Sequence, residues 1–341
     1  MKRDIKSMLP SELSECFAAM GERAFRAEQT FRWLHGGART FREMTNLPET
    51  LRERLDGEFY ITAPEVLKKQ ISKIDGTVKY LWRLDDGNTV ESVLMEYEHG
   101  LTVCISTQVG CAMGCVFCAS AIDGFIRNLA AAEMLDQVMF SQMDVGRRIS
   151  NVVLMGMGEP LDNFQNVLTF IRLIIHPSGM NIGARHITLS TCGIIENIDK
   201  LAEHGIQLSL AASLHAPDDE TRSRLIPINK LSGVDELICA CDRYYRATGR
   251  RISYEYALID GVNDSERHAE LLSQKIGKSG SHVNLIVLNG VTEHALKASP
   301  QGKVDRFAAI LKERGVNYTI RRRLGLDIDA ACGQLRRRNE Q

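Results

Sequence analysis

Short apolar runs alternate along residues 101–320 with segments whose apolar residues follow helical spacing. The first pattern predicts strands and the second predicts helices. The predicted strands are LTVCIS, NVVLM, HITLS, QLSLAAS, RISYEYAL, HVNLIVL and VNYTI. The predicted helices between them are Ala131–Asp144, Phe164–Ile175, Ile194–His204, Val234–Ala247, Ser265–Ile276 and Lys303–Glu313. Six such β–α units predict the α/β class and fit a partial (β/α)6 barrel, with a doubly wound open sheet as the alternative.

Two further patterns precede this region. Residues 1 to about 58 predict helices, with apolar residues at helical spacing in Leu9–Met20, Ala27–Leu34 and Pro48–Leu55. From about residue 60 the runs VKYLWRL and VESVLMEY predict two strands joined by a turn at residues 85–88. We therefore expect a helical accessory domain (1–58) that either contacts RNA or serves as a scaffold, a small β extension (59–98) and a main domain (99–341).

The composition is that of a soluble globular protein. The chain has 341 residues, of which 44% are hydrophobic and 25% are charged, which allows one large domain and a small one. Neither an apolar export segment nor a run of roughly 18 apolar residues is present, so no membrane contact is expected. Nine cysteines without an export segment suit a reducing compartment, which predicts a cytoplasmic protein, and nothing suggests more than a monomer.

Positive charge is concentrated near the C-terminal end although the formal net charge is only -1. Two arginine triplets, Arg321–Arg323 and Arg336–Arg338, flank one loop. Such triplets suit contacts with phosphate groups, and they are equally typical of a solvated terminal face.

The most informative motif is QVGCAMGCVFCAS, which begins at Gln108. Its thiols at Cys111, Cys115 and Cys118 have CxxxCxxC spacing. One short loop with this spacing can bind three corners of a cuboidal iron–sulfur cluster and leave the fourth iron open. A zinc site with a distant fourth ligand, or a cluster of free thiols, would also contain three close cysteines.

Other polar residues follow the ends of neighbouring predicted strands, which is where barrel enzymes place their chemistry. The loop Gly156–Pro160 offers glycine N–H groups and the Glu159 carboxylate, which can accept a hydrogen bond from an amino group. Ser190, Ser213, His215 and Asn289 complete the outline of a pocket for a nucleoside-like cofactor, although each alone is typical of a strand end. By themselves, Glu91 resembles a solvated strand residue and Cys104 and Cys332 resemble packing residues.

These motifs occur together with others in a known family. The chain closely resembles the RlmN-type family of radical S-adenosylmethionine (SAM) enzymes that methylate C2 of adenine in RNA. The motifs that carry the resemblance are SxQVGC with CxFC, MGMGEPLDN, HITLSTCG, SLHAPDDETR, PINK, GVND and DIDAACGQL. They extend in order over nearly the whole chain.

The resemblance implies a partial barrel of the radical SAM type and the following site. Cys111, Cys115 and Cys118 would hold a [4Fe-4S] cluster whose open iron binds SAM. Two SAM molecules would be used per turnover, with an external electron donor such as flavodoxin or ferredoxin. The residues that would contact SAM are Gly158, Glu159, Ser190, Ser213, Leu214, His215 and Asn289.

The resemblance also implies the roles of three catalytic residues. Cys332 would be methylated by one SAM and would lose a hydrogen from that methyl group to a 5′-deoxyadenosyl radical made from the second. The carbon radical would add to C2 of adenine, and Glu91 would accept the proton from that carbon. Cys104 would then attack the bridged Cys332, forming a transient disulfide and releasing the methylated base.

The substrates implied are 23S rRNA, at an adenine of the peptidyl-transferase region, and tRNA, at the adenine that follows the anticodon. A sister group, the Cfr type, methylates C8 of the same rRNA adenine with the same cluster and cysteines. Pro160 and Val109 favour the C2 group. A non-catalytic, metal-stabilised RNA-binding protein is a different hypothesis that leaves Glu91, Cys104 and Cys332 without roles. A radical enzyme for a small molecule would leave the arginine triplets without one.

Overall fold

The helical region predicted at the start of the chain is present. A computed structural model describes residues 2–276, 281–290 and 295–336. Strand β1 (Arg3–Asp4) precedes helices α1 (Pro10–Ala19), α2 (Ala24–His35) and α3 (Glu49–Glu58) and pairs in parallel with β2 (Phe59–Tyr60). The apolar faces of these helices join the same hydrophobic core as the rest of the described chain. Each helix matches its predicted position to within a few residues.

A buried ion pair fastens this N-terminal region to the main domain. Lys6 Nζ lies 2.6 Å from Asp136 Oδ1 and donates to the carbonyl oxygen of Thr62 at 2.6 Å. The Thr62 hydroxyl donates to the second carboxylate oxygen of Asp136 at 2.7 Å. Both charged side chains are fully buried, so they stabilise the fold only as a complete pair.

The predicted β extension belongs to the main sheet and does not form a separate one. It contains β3 (Glu65–Ile71), β4 (Val78–Arg83) and β5 (Thr89–Tyr97), which pair in antiparallel order. Strand β5 then pairs antiparallel with β6 (Gly100–Cys104), the first strand of the main domain. The sequence predicted β4, β5 and the turn between them, but β3 was not predicted as a separate strand.

The cysteine motif lies in a hairpin that the sequence did not predict. Strand β7 (Gln108–Gly110) pairs antiparallel with β8 (Phe125–Asn128), and the three cysteines lie in the connection between them. Gly110 has φ +74°, and a Cβ atom there would lie 1.7 Å from the carbonyl oxygen of Gly124. This close approach requires glycine at the base of the hairpin.

Alternating helices and strands form the rest of the described chain. In order they are α4 (Ala131–Val145), β9 (Ile149–Leu154), α5 (Phe164–Ile174), β10 (Ile187–Thr191), α6 (Ile195–Glu203), β11 (Ser209–Ser213), α7 (Asp219–Leu225), α8 (Val234–Thr248), β12 (Ser253–Leu258), α9 (Glu266–Ile276), β13 (His282–Val287), α10 (Gln301–Glu313) and β14 (Asn317–Ile320). The short helix α7, which begins at the cap residue Asp218, was not predicted. The six predicted helices are all present.

The order of the strands decides between the two predicted architectures. In the described chain ten strands form one sheet, in the order β14-β13-β12-β11-β10-β9-β6-β5-β4-β3. Every pair from β6 to β14 is parallel. A doubly wound sheet would reverse its strand order at a switch point, whereas here the order follows the sequence without reversal. The partial barrel is therefore correct, with the C-terminal ends of its strands along one rim.

None of the helices in the described residues is long and apolar enough to cross a membrane.

Candidate active site

The three cysteines of the hairpin connection line one side of a cavity at the C-terminal rim of the barrel. This first cavity has a volume of about 160 Å3 and is also lined by Glu159, Ser190, His215 and Asn289 among others. Backbone hydrogen bonds hold the connection against its neighbours: Val116 N–H donates to Leu225 at 3.1 Å and Ala119 N–H donates to Gly333 at 2.8 Å. The short helix α7 thus supports the cysteine loop from one side and the C-terminal segment supports it from the other.

The thiols of this loop are close enough to affect one another. Burial raises the pKa of Cys111 to about 12, and burial is also the main cause of the raised pKa values of Cys115 and Cys118. The negative charge of neighbouring thiolates raises the pKa of Cys115 further. A cationic group bound at this wall would reverse the effect, since a thiolate is the form that binds metal.

The donor set fits an iron–sulfur cluster. Among the described residues, no three His, Cys, Asp or Glu side chains converge on a point that one metal ion could occupy. A cuboidal cluster takes its thiolates on separate irons, so the ligands need to share a cavity wall and do not need to meet at a point. Phe117 lines the same cavity and packs edge-on against His215, with ring centroids 4.9 Å apart. This aromatic pair gives the wall an apolar cover.

The glycines of the Gly156–Pro160 loop allow close packing on the strand beside it. A Cβ atom on Gly156 would lie 2.6 Å from the carbonyl oxygen of Ile105, and one on Gly158 would lie 2.5 Å from Gln108 Cβ. Gly158 also has φ +99°, which only glycine adopts readily. Both glycines line the first cavity, so the backbone of this loop forms part of its wall.

The Glu159 carboxylate is buried and partly satisfied by the backbone. Its two oxygens accept hydrogen bonds from the N–H groups of Leu161 at 3.0 Å and Cys192 at 2.8 Å. Burial raises the pKa of Glu159, while these two hydrogen bonds oppose the rise. Each carboxylate oxygen can accept more than one hydrogen bond, so Glu159 both links two rim loops and presents acceptor capacity to the cavity.

Ser190 and Ser213, on neighbouring strands β10 and β11, line the cavity with their hydroxyl oxygens 3.4 Å apart. Leu214, by contrast, does not line it, and its backbone N–H and carbonyl are bound to Glu255 and Arg222. Two adjacent hydroxyl groups suit a ribose or an amino acid group. The predicted contact of Leu214 with SAM therefore depends on its backbone or on a shift of the loop.

His215 is held as a neutral ring. Its Nδ1 accepts a hydrogen bond from the N–H of Ala257 at 2.9 Å, and burial lowers the pKa of His215 to about 3. Since Nδ1 is the acceptor, the proton is on Nε2. His215 has φ +55°, a left-handed conformation that a hydrogen bond of 2.6 Å from the Asn263 side chain to its carbonyl helps to hold. His215 thus offers a neutral donor at the cavity wall.

Asn289 connects the first cavity to a second one. Its Nδ2 donates to the carbonyl oxygen of Cys332 at 3.3 Å, while its buried Oδ1 has no hydrogen-bond partner among the described residues. An unpaired buried oxygen is costly, and an amino or hydroxyl donor of a bound cofactor would satisfy it.

Cys332 lines both cavities. The second cavity, of about 30 Å3, is lined by Val93, Met95, Tyr97, Cys104, Arg321 and Cys332 among others. Cys104 and Cys332, which are far apart in sequence, therefore line the same small cavity. Cys332 also lines the first cavity together with the three thiols of the cysteine loop. Burial raises the pKa of Cys104 to about 12, the charge of Cys332 raises it further, and the guanidinium of Arg321 opposes both effects.

Glu91 lines neither cavity and is almost fully buried, unlike a solvated strand carboxylate. It lies in β5 on the same face of the sheet as Val93, which is paired with Cys104 across β5 and β6. Its carboxylate lies 3.4 Å from Lys79 Nζ and accepts a hydrogen bond of 3.0 Å from the Arg336 N–H. Glu91 is thus beside the second cavity and covered by the C-terminal segment.

Sequence reasoning missed three charged residues at this site. The sequence left Arg321, like Arg322 and Arg323, open between a phosphate contact and a solvated terminal face, but its guanidinium is near Cys332, Cys104 and the Glu255 carboxylate. Neither interpretation describes Arg321, because it follows β14 and lines both cavities, whereas Arg322 and Arg323 are exposed. Arg337 and Arg338 of the second triplet lie outside the described residues. For Glu255 and Lys79 the sequence shows only that each lies in a strand, and nothing in it indicates a place at the site.

Comparisons with known proteins agree with this geometry. Residues 105–272 match the family model of the radical SAM superfamily, and residues 4–61 match that of the ribosomal RNA large subunit methyltransferase N-terminal domain. The chain is 50% identical over 340 residues to the probable dual-specificity RNA methyltransferase RlmN of Alkaliphilus oremlandii, covering 100% of this chain and 99% of that one. It is also 50% identical over 317 residues to the protein of the same name from Clostridium tetani, covering 93% and 91%.

A solved structure shares the whole fold. The crystal structure of a radical SAM methyltransferase from Sphaerobacter thermophilus superposes with a TM-score of 0.93 at 43% identity, over 98% of this chain and 99% of that one. The similarity therefore extends over nearly the full length of both chains. The chain belongs to the RlmN family of the radical SAM superfamily.

Proposed function

We propose that this protein methylates C2 of adenine in RNA, at an adenine in the peptidyl-transferase region of 23S rRNA and at the adenine that follows the anticodon in tRNA. The proposal is supported by full-length relatives named dual-specificity RNA methyltransferase RlmN. One structural observation carries it: Cys332 lies on a wall common to the cavity of the cluster thiols and the cavity of Cys104. A thiol that must meet a cofactor and then a second thiol needs this position.

Membership of the radical SAM superfamily implies a [4Fe-4S] cluster and SAM as cofactors. The thiols of Cys111, Cys115 and Cys118 would hold the cluster, with Phe117 as its apolar cover. When bound, the cluster and SAM supply a 5′-deoxyadenosyl radical. The opposite wall would bind SAM through Gly158, Glu159, Ser190, Ser213, His215 and Asn289, and through the backbone of Leu214.

Cys332 would act in covalent catalysis. Its sulfur would accept a methyl group from one SAM. After that methyl group has lost a hydrogen atom, its carbon would form a bond to C2 of adenine. The segment around it contains left-handed residues at Gly325, Asp329 and Gly333, and it contacts the cysteine loop through Gly333. The backbone can therefore turn sharply on both sides of the thiol, which suits a residue that works in two cavities.

Cys104 and Glu91 would complete the reaction. Glu91 would accept the proton of C2, and the thiolate of Cys104 would then attack the sulfur of Cys332. A sulfur–sulfur bond forms as the sulfur–carbon bond breaks, and the electron pair of the broken bond stays on the carbon, which takes up a proton to become the methyl group of the released base. All nine cysteines are free in the structure, and the Cys104–Cys332 disulfide belongs to the proposed reaction alone, as a transient state. An external electron donor of the flavodoxin or ferredoxin class would supply the cluster with electrons, and a thiol reductant would return the Cys104–Cys332 disulfide to the dithiol form with two electrons and two protons.

The RNA would approach over the second cavity. Its rim includes the exposed Arg322 and Arg323, whose guanidinium groups suit phosphate contacts. The adenine must leave its stack to reach the half-buried thiol of Cys332, so a splayed or single-stranded adenine is the expected substrate. A cytoplasmic monomer would suffice for this reaction.

The test is mass spectrometry of nucleosides from 23S rRNA and tRNA after reaction with the anaerobically reconstituted protein, SAM and a reductant. We expect 2-methyladenosine in both RNAs, and none with Cys332→Ala. 8-Methyladenosine would assign the protein to the sister chemistry instead. Absence of any methylated adenine, with an intact cluster that cleaves SAM, would refute the proposal.

A further inference from the structure

A buried lysine, Lys79, lies in the same row of paired residues across the sheet as Cys104. Lys79 of β4 is paired with Val93 of β5, and Val93 is paired with Cys104 of β6. Paired residues of neighbouring strands project from the same face, so Lys79 and Cys104 face the same side. Glu91 shares this face, two residues before Val93. The sheet therefore presents one cation, one carboxylate and one thiol together to the C-terminal segment.

The lysine and the carboxylate hold each other and also hold the loop of Cys332. Lys79 Nζ lies 3.4 Å from Glu91 Oε1 and donates to the carbonyl oxygen of Asp329 at 3.1 Å. Glu91 Oε2 accepts from the N–H of Arg336 at 3.0 Å. The charged pair thus contacts the backbone three residues before Cys332 and four residues after it. Both flanks of the loop are anchored at one point.

Burial makes this pair more than a surface contact. The two side chains are 1% and 2% exposed. Removing one member of a buried pair disturbs the other far more than removing one member of an exposed pair, which contributes little. The Lys79 ammonium thus fixes the position of the Glu91 carboxylate at this place in the sheet.

We propose that Lys79 is a positioning residue of the reaction: it holds and aims the Glu91 carboxylate, and through Asp329 it ties that carboxylate to the loop of Cys332. This inference rests on the proposed function, in which Glu91 accepts the proton of C2. Lys79 itself lines neither of the two cavities. Its loss should therefore spare the steps before proton removal and impair the steps after it.

The experiment compares Lys79→Met, which removes the charge and keeps the length of the side chain, with Lys79→Arg, which keeps the charge. Lys69→Met is the matched control, because Lys69 is a lysine of the adjacent strand that pairs with Asp144 at 2.5 Å. Lys69 is paired with Tyr80, the neighbour of Lys79 in the chain, and so faces the other side of the sheet. Each protein is reconstituted with its cluster and given SAM, reductant and RNA.

Three quantities are measured: methylation of Cys332 by peptide mass spectrometry, the covalent protein–RNA adduct on denaturing gels, and 2-methyladenosine. For Lys79→Met we expect Cys332 methylation close to wild type and an adduct-to-product ratio raised about 10-fold or more, which is less than the roughly 10²–10⁴-fold that a general base contributes because Glu91 itself remains. Lys79→Arg should restore part of the product, and Lys69→Met should match wild type. An unchanged ratio, or an equal loss of all three quantities, would overturn the proposal.

A fourth measurement separates this inference from the proposed function. In RNA-free protein, loss of the anchor at Asp329 should make the Cys332 thiol react several-fold faster with iodoacetamide in Lys79→Met than in Lys69→Met, since the loop opens more often. Equal rates would overturn the inference whatever the enzyme does to RNA. If the wild-type protein forms no methyladenosine, the proposed function fails, and the alkylation result still decides whether Lys79 anchors the loop.

Discussion

The Cys104 thiol should titrate far above the usual range, and its reactivity should show this. Cys104 is 6% exposed, and burial is the largest cause that raises its pKa from 9.0 to about 12. A shift of three pH units corresponds to about 4 kcal/mol between the thiol and thiolate forms. At pH 8 the thiolate would be about one part in 10⁴ of the population. The thiol is thus protected until a reaction partner reaches the second cavity.

The perturbation is pH, and the assay is alkylation of Cys104 by iodoacetamide followed by peptide mass spectrometry. Because only the thiolate reacts, we expect the rate to rise about tenfold per pH unit from 7 to 10 without a plateau. Burial also slows access of the reagent, but equally at every pH, so the slope is the diagnostic quantity. A plateau near pH 9 would refute the reasoning, since it would show that burial does not hold the proton on Cys104.

Arg321 supplies a second perturbation of the same thiol. Its positive charge lowers the pKa of Cys104 against the effect of burial. Arg321→Met should therefore slow alkylation of Cys104 at every pH in this range, and Arg321→Lys should slow it less. A rate that is unchanged in Arg321→Met would show that the guanidinium does not act on Cys104.

Three other predictions concern stability and cofactor binding. Lys6→Met leaves a fully buried carboxylate without its cation and should reduce the free energy of unfolding by about 3–5 kcal/mol, whereas Lys69→Met, at an exposed pair, should cost less than about 1 kcal/mol in the same denaturant titration. Asn289→Ala should raise the Kd for SAM roughly 10-fold in equilibrium dialysis, the effect of about one buried hydrogen bond, and an unchanged Kd would contradict its role. Gly158→Ala, at φ +99° and against a close neighbour, should lower the Tm by several degrees, whereas Gly290→Ala, with open space around it, should leave the Tm nearly unchanged.

The parts of the fold that the sequence predicted are those that depend on local pattern. Helix spacing and apolar strands depend on neighbours in the chain, so the barrel and all six of its predicted helices are correct. The hairpin of β7 and β8 escaped prediction because its strands are three and four residues long and its ends are joined by the cysteine loop. Likewise, nothing local indicates that β5 pairs with β6 and so merges the β extension with the main sheet.

The candidate site divides in the same way. Cys111, Cys115 and Cys118 are close in sequence, so their spacing indicated an iron–sulfur site, with a zinc site or free thiols as alternatives until the family resemblance was considered. The roles of Glu91, Cys104 and Cys332 could be anticipated only through family resemblance, because the sheet register and the return of the C-terminal segment bring them together. Lys79 and Arg321 were missed for the same reason, since a lysine in a strand and an arginine in a basic run look like surface residues until their partners are known.

One measurement tests the central claim, that Cys332 and Cys104 act in turn on one adenine, most directly. Cys104→Ala enzyme, reconstituted with its cluster, is incubated with SAM, reductant and unmodified RNA, and the protein is digested and analysed by mass spectrometry. The account predicts an adenosine joined through one carbon atom to Cys332, and little free 2-methyladenosine. Free 2-methyladenosine at the wild-type rate, with Cys332 unmodified, would contradict it.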